Sequence, residues 1–338
     1  MRIGDGLQAV ENLRMYLMKA ALPQMVIDPE AVRVPPEGHK SHANSILGRP
    51  EKYRLLEEIE HIRPRDFDRL VSEFVDRFIP SEPLSEKDED QKSGLSISVP
   101  AGALFDIPKP RLGSASDIND VGQWLNVLPL QTVQRIVHLA WPDVCDWRVQ
   151  RVKTEDKDCD LFRHFYWTRK DTAGRQDDDL GLHSAVLAFQ PPWILTRQDL
   201  QAFIRCQLLP SFETVLEQED GDDGYKSEQR LWARIWDTCF NKQCPWFVLS
   251  NAGCWVFGTF TKGWRRAFVS PIIDIRSKKP TVLECLVYWL ASAVGVPGGW
   301  VIPEVGNEPP YSSIETSCIL YDLLEIDAEA TVALALLT

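Results

Sequence analysis

Ser184-Ala185-Val186-Leu187-Ala188-Phe189-Gln190-Pro191-Pro192-Trp193 is the stretch on which the fold turns. From His183 to Phe189 it is a short apolar run, and the prolines end it because proline has no amide to give to a central ladder. The segment therefore predicts a buried strand with a hard stop. Upstream, residues 147–153 and 161–168 alternate as strands do, joined by an acidic turn at 155–160 and followed by a polar turn at 169–179. Downstream, apolar residues at helical spacing fill 197–216 and 228–240, separated by the acidic loop 217–224. Three short strands are predicted next, at 246–250, 254–260 and 265–270, with Asn251-Ala252-Gly253 and Lys262-Gly263 as turn residues able to take positive φ. A helix at 281–294 closes the unit, with Thr281 and Glu284 in capping-box spacing. The fold class expected is α/β (α+β): a central mixed sheet flanked by helices, with a helical layer before it.

That layer is read from the first eighty residues. Leu7, Val10, Leu13, Leu17 and Ala21 recur at helical spacing, and residues 51–61 and 64–79 give two further helical patterns, the second opened by Pro64. Phe67, Leu70, Val71, Phe74 and Phe78 form its apolar stripe, while Glu57, Glu58 and Glu60 read as a solvated helix face. Residues 81–94, SEPLSEKDEDQKSG, carry dense charge and no apolar anchor, and 100–116 stay rich in Pro, Gly and Ser. The expected organisation is a helical region at 1–80, a charged and Pro-rich linker at 81–120, and an α/β domain with a C-terminal extension at 121–338. A helix is predicted over 129–141. All 12 tryptophans fall between Trp124 and Trp300, which places the main core there.

Composition narrows the class. The chain has 338 residues, 44% hydrophobic and 25% charged, enough to bury a core of its own. A net charge of −12 argues against coating nucleic acid through the overall field and leaves only a local basic groove open. The 8 cysteines include no Cys-x-x-Cys pair and several sit in apolar runs, as reduced thiols of an intracellular protein, cytoplasmic or nuclear, would. The amphipathic N-terminus lacks the pattern of a signal peptide, and no apolar run is long enough to cross a bilayer, so no membrane partner is expected. Gly-rich phosphate loops, a dinucleotide fingerprint, the His-Arg-Asp and Asp-Phe-Gly pair of kinases and the Gly-x-Ser-x-Gly elbow are all absent.

The order strand, strand, strand ending in Pro-Pro-Trp, helix, helix, Trp246-Phe247-Val248-Leu249-Ser250-Asn251 and Trp255-Val256-Phe257 resembles the restriction-endonuclease-like PD-(D/E)XK fold. It is closest in kind to the version that accompanies fungal and Crinkler-type kinase-like proteins, and the resemblance spans roughly residues 145–295. It implies a third strand carrying Glu-x-Lys before the prolines and an Asp from the preceding hairpin. The two carboxylates would hold Mg²⁺, and the Lys would support the attacking water. Here that register puts Ala188 at the Glu position and Gln190 at the Lys position. Asp178 or Asp179 is the candidate for the hairpin Asp, Asp160 is a second, and Glu155 or Glu213 could supply a migrated carboxylate.

The expected function is accordingly a non-catalytic binding module for a protein or nucleic acid, with no cofactor. The alternatives are a divergent Mg²⁺-dependent nuclease and a structural interaction protein. A remnant groove would hold Asp179, Gln190, Lys226 and Arg230, with Trp193 beside it. Trp264-Arg265-Arg266 is the one place where an aromatic and two cations adjoin on a predicted strand, fit for phosphate or an acidic partner, although such cations also guard a sheet edge. Trp232 and Trp236, four residues apart, read as core. Cys239, Cys244 and Cys254, with His164 or His183, match no familiar zinc spacing, and His138 reads as a satisfied core histidine.

Overall fold

In the computed structural model the described residues are 12–31, 51, 53–82, 97–101, 105, 107, 110–152, 162–169, 182–210, 225–306 and 308. The first helix, α1 (Leu13–Lys19), starts where the Asn12 side chain accepts the Met15 amide proton. Strand β1 (Glu58–His61) leads into α2 (Pro64–Phe78), whose first residue is a proline, tolerated there because its amide would be unpaired anyway. Asp117 caps α3 (Ile118–Leu125), which runs through a wide π-type segment at Asn126–Leu130, containing Pro129, into α4 (Gln131–Ala140). Then come β2 (Trp147–Arg151), β3 (Arg163–Arg169) and β4 (Leu182–Phe189). Helices α5 (Arg197–Arg205) and α6 (Ser227–Asn241) precede β5 (Trp246–Ser250), β6 (Cys254–Phe260), β7 (Arg266–Val269) and the short β8 (Ile273–Asp274). The last helix is α7 (Val282–Ala293).

These strands form one mixed sheet in the order β1-β7-β6-β5-β4-β3-β2, with β8 also beside β6. Strands β2, β3 and β4 form an antiparallel meander. A second antiparallel meander comprises β5, β6 and β7. The two meet at the parallel pair β4–β5, between which α5 and α6 form the crossover. With helices on both faces, the architecture is of the α/β class, as the sequence predicts.

One face of the sheet, with Phe165, Trp167, Leu187, Phe189 and Phe257, packs against α1, α2, α3, α4 and α7. The other, with Tyr166, Val186, Ala188, Leu249 and Val256, packs against α5 and α6. The alternation along each strand is what divides the two cores.

One local expectation gives way. Residues 58–61 are a strand, parallel to β7, instead of the end of a helix. Only Ile59 of the four is buried, and the glutamates that looked like a helix face pair with arginines: Glu57 with Arg265, and Glu58 and Glu60 with Arg266. Partners two hundred residues away decide this segment, and no local pattern encodes them. Within the stretch 81–120 several side chains are buried. Ile97, Val99, Ala101, Phe105 and Ile107 are buried, the Val99 carbonyl accepts from the Tyr16 hydroxyl at 2.7 Å, and Ser98 bonds Thr132. The most charged part, residues 83–96, lies outside the described residues.

Candidate functional site

The carboxyl ends of the parallel strands β4 and β5 are where an α/β sheet of this topology opens a crevice. Ala188 stands between His164 of β3 and Leu249 of β5, 2% exposed and inside the apolar cluster under α6. Gln190 is fully buried just past the strand, and its amide donates to the Ser250 carbonyl at 3.2 Å. The Pro191 carbonyl then accepts from the Ile194 and Leu195 amides, turning the chain toward α5, with Trp193 half-buried against the α7-side core. Beyond β5, the Asn251 side chain donates to the Leu195 carbonyl and accepts from the Gly253 and Cys254 amides. That bracket holds Ala252 at φ 67, a left-handed conformation favoured by glycine and adopted here by an alanine.

A cleft of about 310 Å³ opens at this end, lined by Met25 and Ile27 from the N-terminal segment, Pro192, Asn251 and the Asp274–Arg276 turn. At its wall Arg197 bonds both Asp274 and, at 3.6 Å, the sulfur of Cys254. The Arg276 amide, aided by Arg197, holds the Asp274 carboxyl below its ordinary range. Burial pushes the Cys254 thiol up despite Arg197, so this sulfur is a weak nucleophile at neutral pH. The arrangement is fitted to binding and orientation. Sequence reasoning passed over this trio because its members come from α5, β6 and β8 and carry no shared spacing.

Asp160, Asp178, Asp179, Glu155 and Glu213 lie outside the described residues. Lys226 is exposed and Arg230 half-buried at the start of α6, where the Lys226 amide donates to the Gln229 side chain and its carbonyl accepts from Arg230. Trp264 is 4% exposed, with its ring against Trp236, Phe240 and Phe260 and its carbonyl accepting from the Trp236 indole. Arg265 is engaged by Glu57, just before β1, and Arg266 by Glu58 and Glu60 of β1, which makes the triplet a strut of the sheet edge.

Cys239 and Cys244 adjoin at the amino end of β5 while Cys254 follows its carboxyl end, so the structure does not gather these three. Among the described residues, no group of three or more His, Cys, Asp or Glu side chains is placed to share a metal ion. His138 is buried with its Nε2 2.7 Å from the Trp147 carbonyl. On the α6 side of the sheet, Arg54 makes a two-pronged pair with Asp237 at 3.0 and 2.7 Å, between the rings of Tyr53 and Tyr225. Burial raises the Asp237 carboxyl, with Arg54 pulling the other way. No helix among the described residues is long and apolar enough to cross a membrane.

The fold and the cleft together define an α/β protein with a crevice at the ends of its central parallel strands. Comparison of the chain with protein-family models, with curated proteins and with solved structures finds no match.

Proposed function

We propose that this chain is a non-catalytic binding module on a degenerate restriction-endonuclease-like scaffold, engaging a protein or nucleic-acid partner through the groove at the ends of β4 and β5. One observation carries the reading: Ala188 and Gln190 sit fully enclosed on and just after the central strand, where the resemblance would have a carboxylate and a lysine. A glutamate at 188 would put its charge into an apolar cluster, at a cost of several kcal/mol unless a metal or cation met it. Support also comes from the central position of β4 and from the succession of three antiparallel strands, two helices and a fourth strand parallel to the third. The six cysteines described are all free thiols, which suits a reducing compartment inside the cell. Trp193, Lys226 and Arg230 are the side chains proposed for contact; Trp264, Arg265 and Arg266 are held within the fold.

A plasmid-nicking assay with Mg²⁺ or Mn²⁺, run on the chain and on Asp179→Ala, tests this. The expected result is no nicking by either. Metal-dependent nicking that disappears in Asp179→Ala would replace the binding module with the divergent nuclease.

A further inference from the structure

We infer that Arg163 and Arg151 form a binding subsite for a phosphate dianion, on the face of the sheet opposite Ala188. Arg163 opens β3 opposite Phe189, the last residue of β4, and Arg151 ends β2 opposite Phe165. The two arginines are thus diagonal neighbours on adjacent strands, about 7–8 Å apart at the backbone, within reach of one ligand for side chains of this length. Both lie on the face shared with Phe165 and Phe189, the side covered by α3.

Arg163 is 9% exposed, and among the described residues its Nη1, itself sealed from solvent, has no hydrogen-bond partner. Arg151 donates to the neutral side chain of Asn119 at 2.6 Å, and its guanidinium lies 3.9 Å from where a Cβ on Gly122 would stand. Neither cation is in an ion pair with a described carboxylate. The acids nearest in sequence to Asn119 are committed elsewhere: Asp117 accepts the Asn119 and Asp120 amides, and Asp120 accepts from Ser116. Asp146, before β2, pairs with Arg169 at the far end of β3.

Among the described residues Arg163 has no carboxylate beside it, and a native fold keeps a buried guanidinium, costly on its own, where something else supplies the charge. Two guanidiniums with planar donor forks match the charge and the oxygens of a phosphate group. Phe189, paired with Arg163 across β3 and β4, walls the subsite, and Gly122 clears space for that ring, since a Cβ there would stand 2.9 Å from it. The subsite is independent of whether the nuclease-like reading of β4 holds, because Ala188 faces the other way.

Titration calorimetry with inorganic phosphate, and separately with phenyl phosphate, tests it, using the full chain and the Arg163→Met variant in a chloride buffer of constant ionic strength. Saturable binding of either ligand, weakened at least tenfold by Arg163→Met, is expected; which ligand binds tells free phosphate from a phosphomonoester group. Absence of binding by both, or equal binding by the variant, overturns the proposal. Urea unfolding without ligand separates a structural role. Arg163→Met should unfold at the same or a higher urea concentration than the parent, whereas a clear loss of stability would make Arg163 a structural cation and also overturn the subsite.

Discussion

On one face of the sheet, every residue of α7 from Val282 to Ser292 is buried, whereas on the other α6 buries a single stripe and turns the rest outward. A helix that is apolar all round belongs between two layers. Here α7 lies between the strands and a second layer made by α1, α2 and α4, and shares one cluster with them. Among the described residues the α6 face has no such second layer. Its aromatic stripe, Trp232 and Trp236 with Phe203, Phe240 and Phe260, is closed at the rim by the Arg54–Asp237 pair. The difference teaches that the same sheet is held by apolar area on one side and partly by a charge pair on the other, so the two sides should respond differently to the same kind of truncation.

The largest effect is expected at Trp289. Its ring is fully buried against Trp246, Trp300 and Phe257, and its indole donates to the carbonyls of Phe247 and Gly258 on β5 and β6. Trp289→Ala should cost about 4 kcal/mol in urea unfolding followed by circular dichroism, a large share of ordinary domain stability. A cost under about 1 kcal/mol would mean that α7 is not the pillar of that face.

Next comes the opposite face. The Arg54 side chain is completely enclosed, so Asp237→Ala removes the carboxylate paired with a buried cation and should cost about 3 kcal/mol. Replacing both partners, Arg54→Met with Asp237→Leu, should recover most of that loss, because desolvation of the charges then vanishes along with their attraction. If the double variant is as unstable as Asp237→Ala alone, packing of the Arg54 stem between Tyr53 and Tyr225 is what closes the rim, and the contrast between the faces narrows.

How much of this was legible follows the range of the interactions. The strands around Val186, Val248 and Val256 and the helices carrying Trp232 and Leu286 announce themselves by local periodicity, and the Thr281–Glu284 capping box forms as its spacing predicts. Strand β1 is illegible because Glu58-Ile59-Glu60-His61 has one apolar residue, and its pairing is fixed by β7 and by two arginines far along the chain. Helix α3 escaped because Gly122 lowers its propensity and it follows directly on a Pro- and Gly-rich stretch. At the site, the buried central strand through Ala188 and its stop after Gln190 were readable from one segment alone. The Arg197, Cys254 and Asp274 trio and the diagonal of Arg151 with Arg163 were not, since each depends on strand register, which a sequence does not print.

The smallest expected effect lies where the two faces meet, at the Arg197 and Asp274 pair joining α5 to β8. Both side chains are substantially exposed, so screening keeps the contribution at neutral pH under about 1 kcal/mol. Its sign is nonetheless fixed. Asp274 titrates lower in the folded chain than its ordinary 3.8, because the Arg276 amide, and then Arg197, favour its charged form. The unfolded chain therefore takes up the proton first as pH falls. The stabilisation is complete above the ordinary value and drains away as pH drops through the folded one. Asp274→Asn keeps an oxygen for the Arg276 amide and loses the charge, so its urea midpoint should lie slightly below the parent's at pH 7 and converge with it in acid. A gap that stays constant down to pH 2 would show that shape rather than charge is lost, and that the seam between the faces is held by the turn and not by the ion pair.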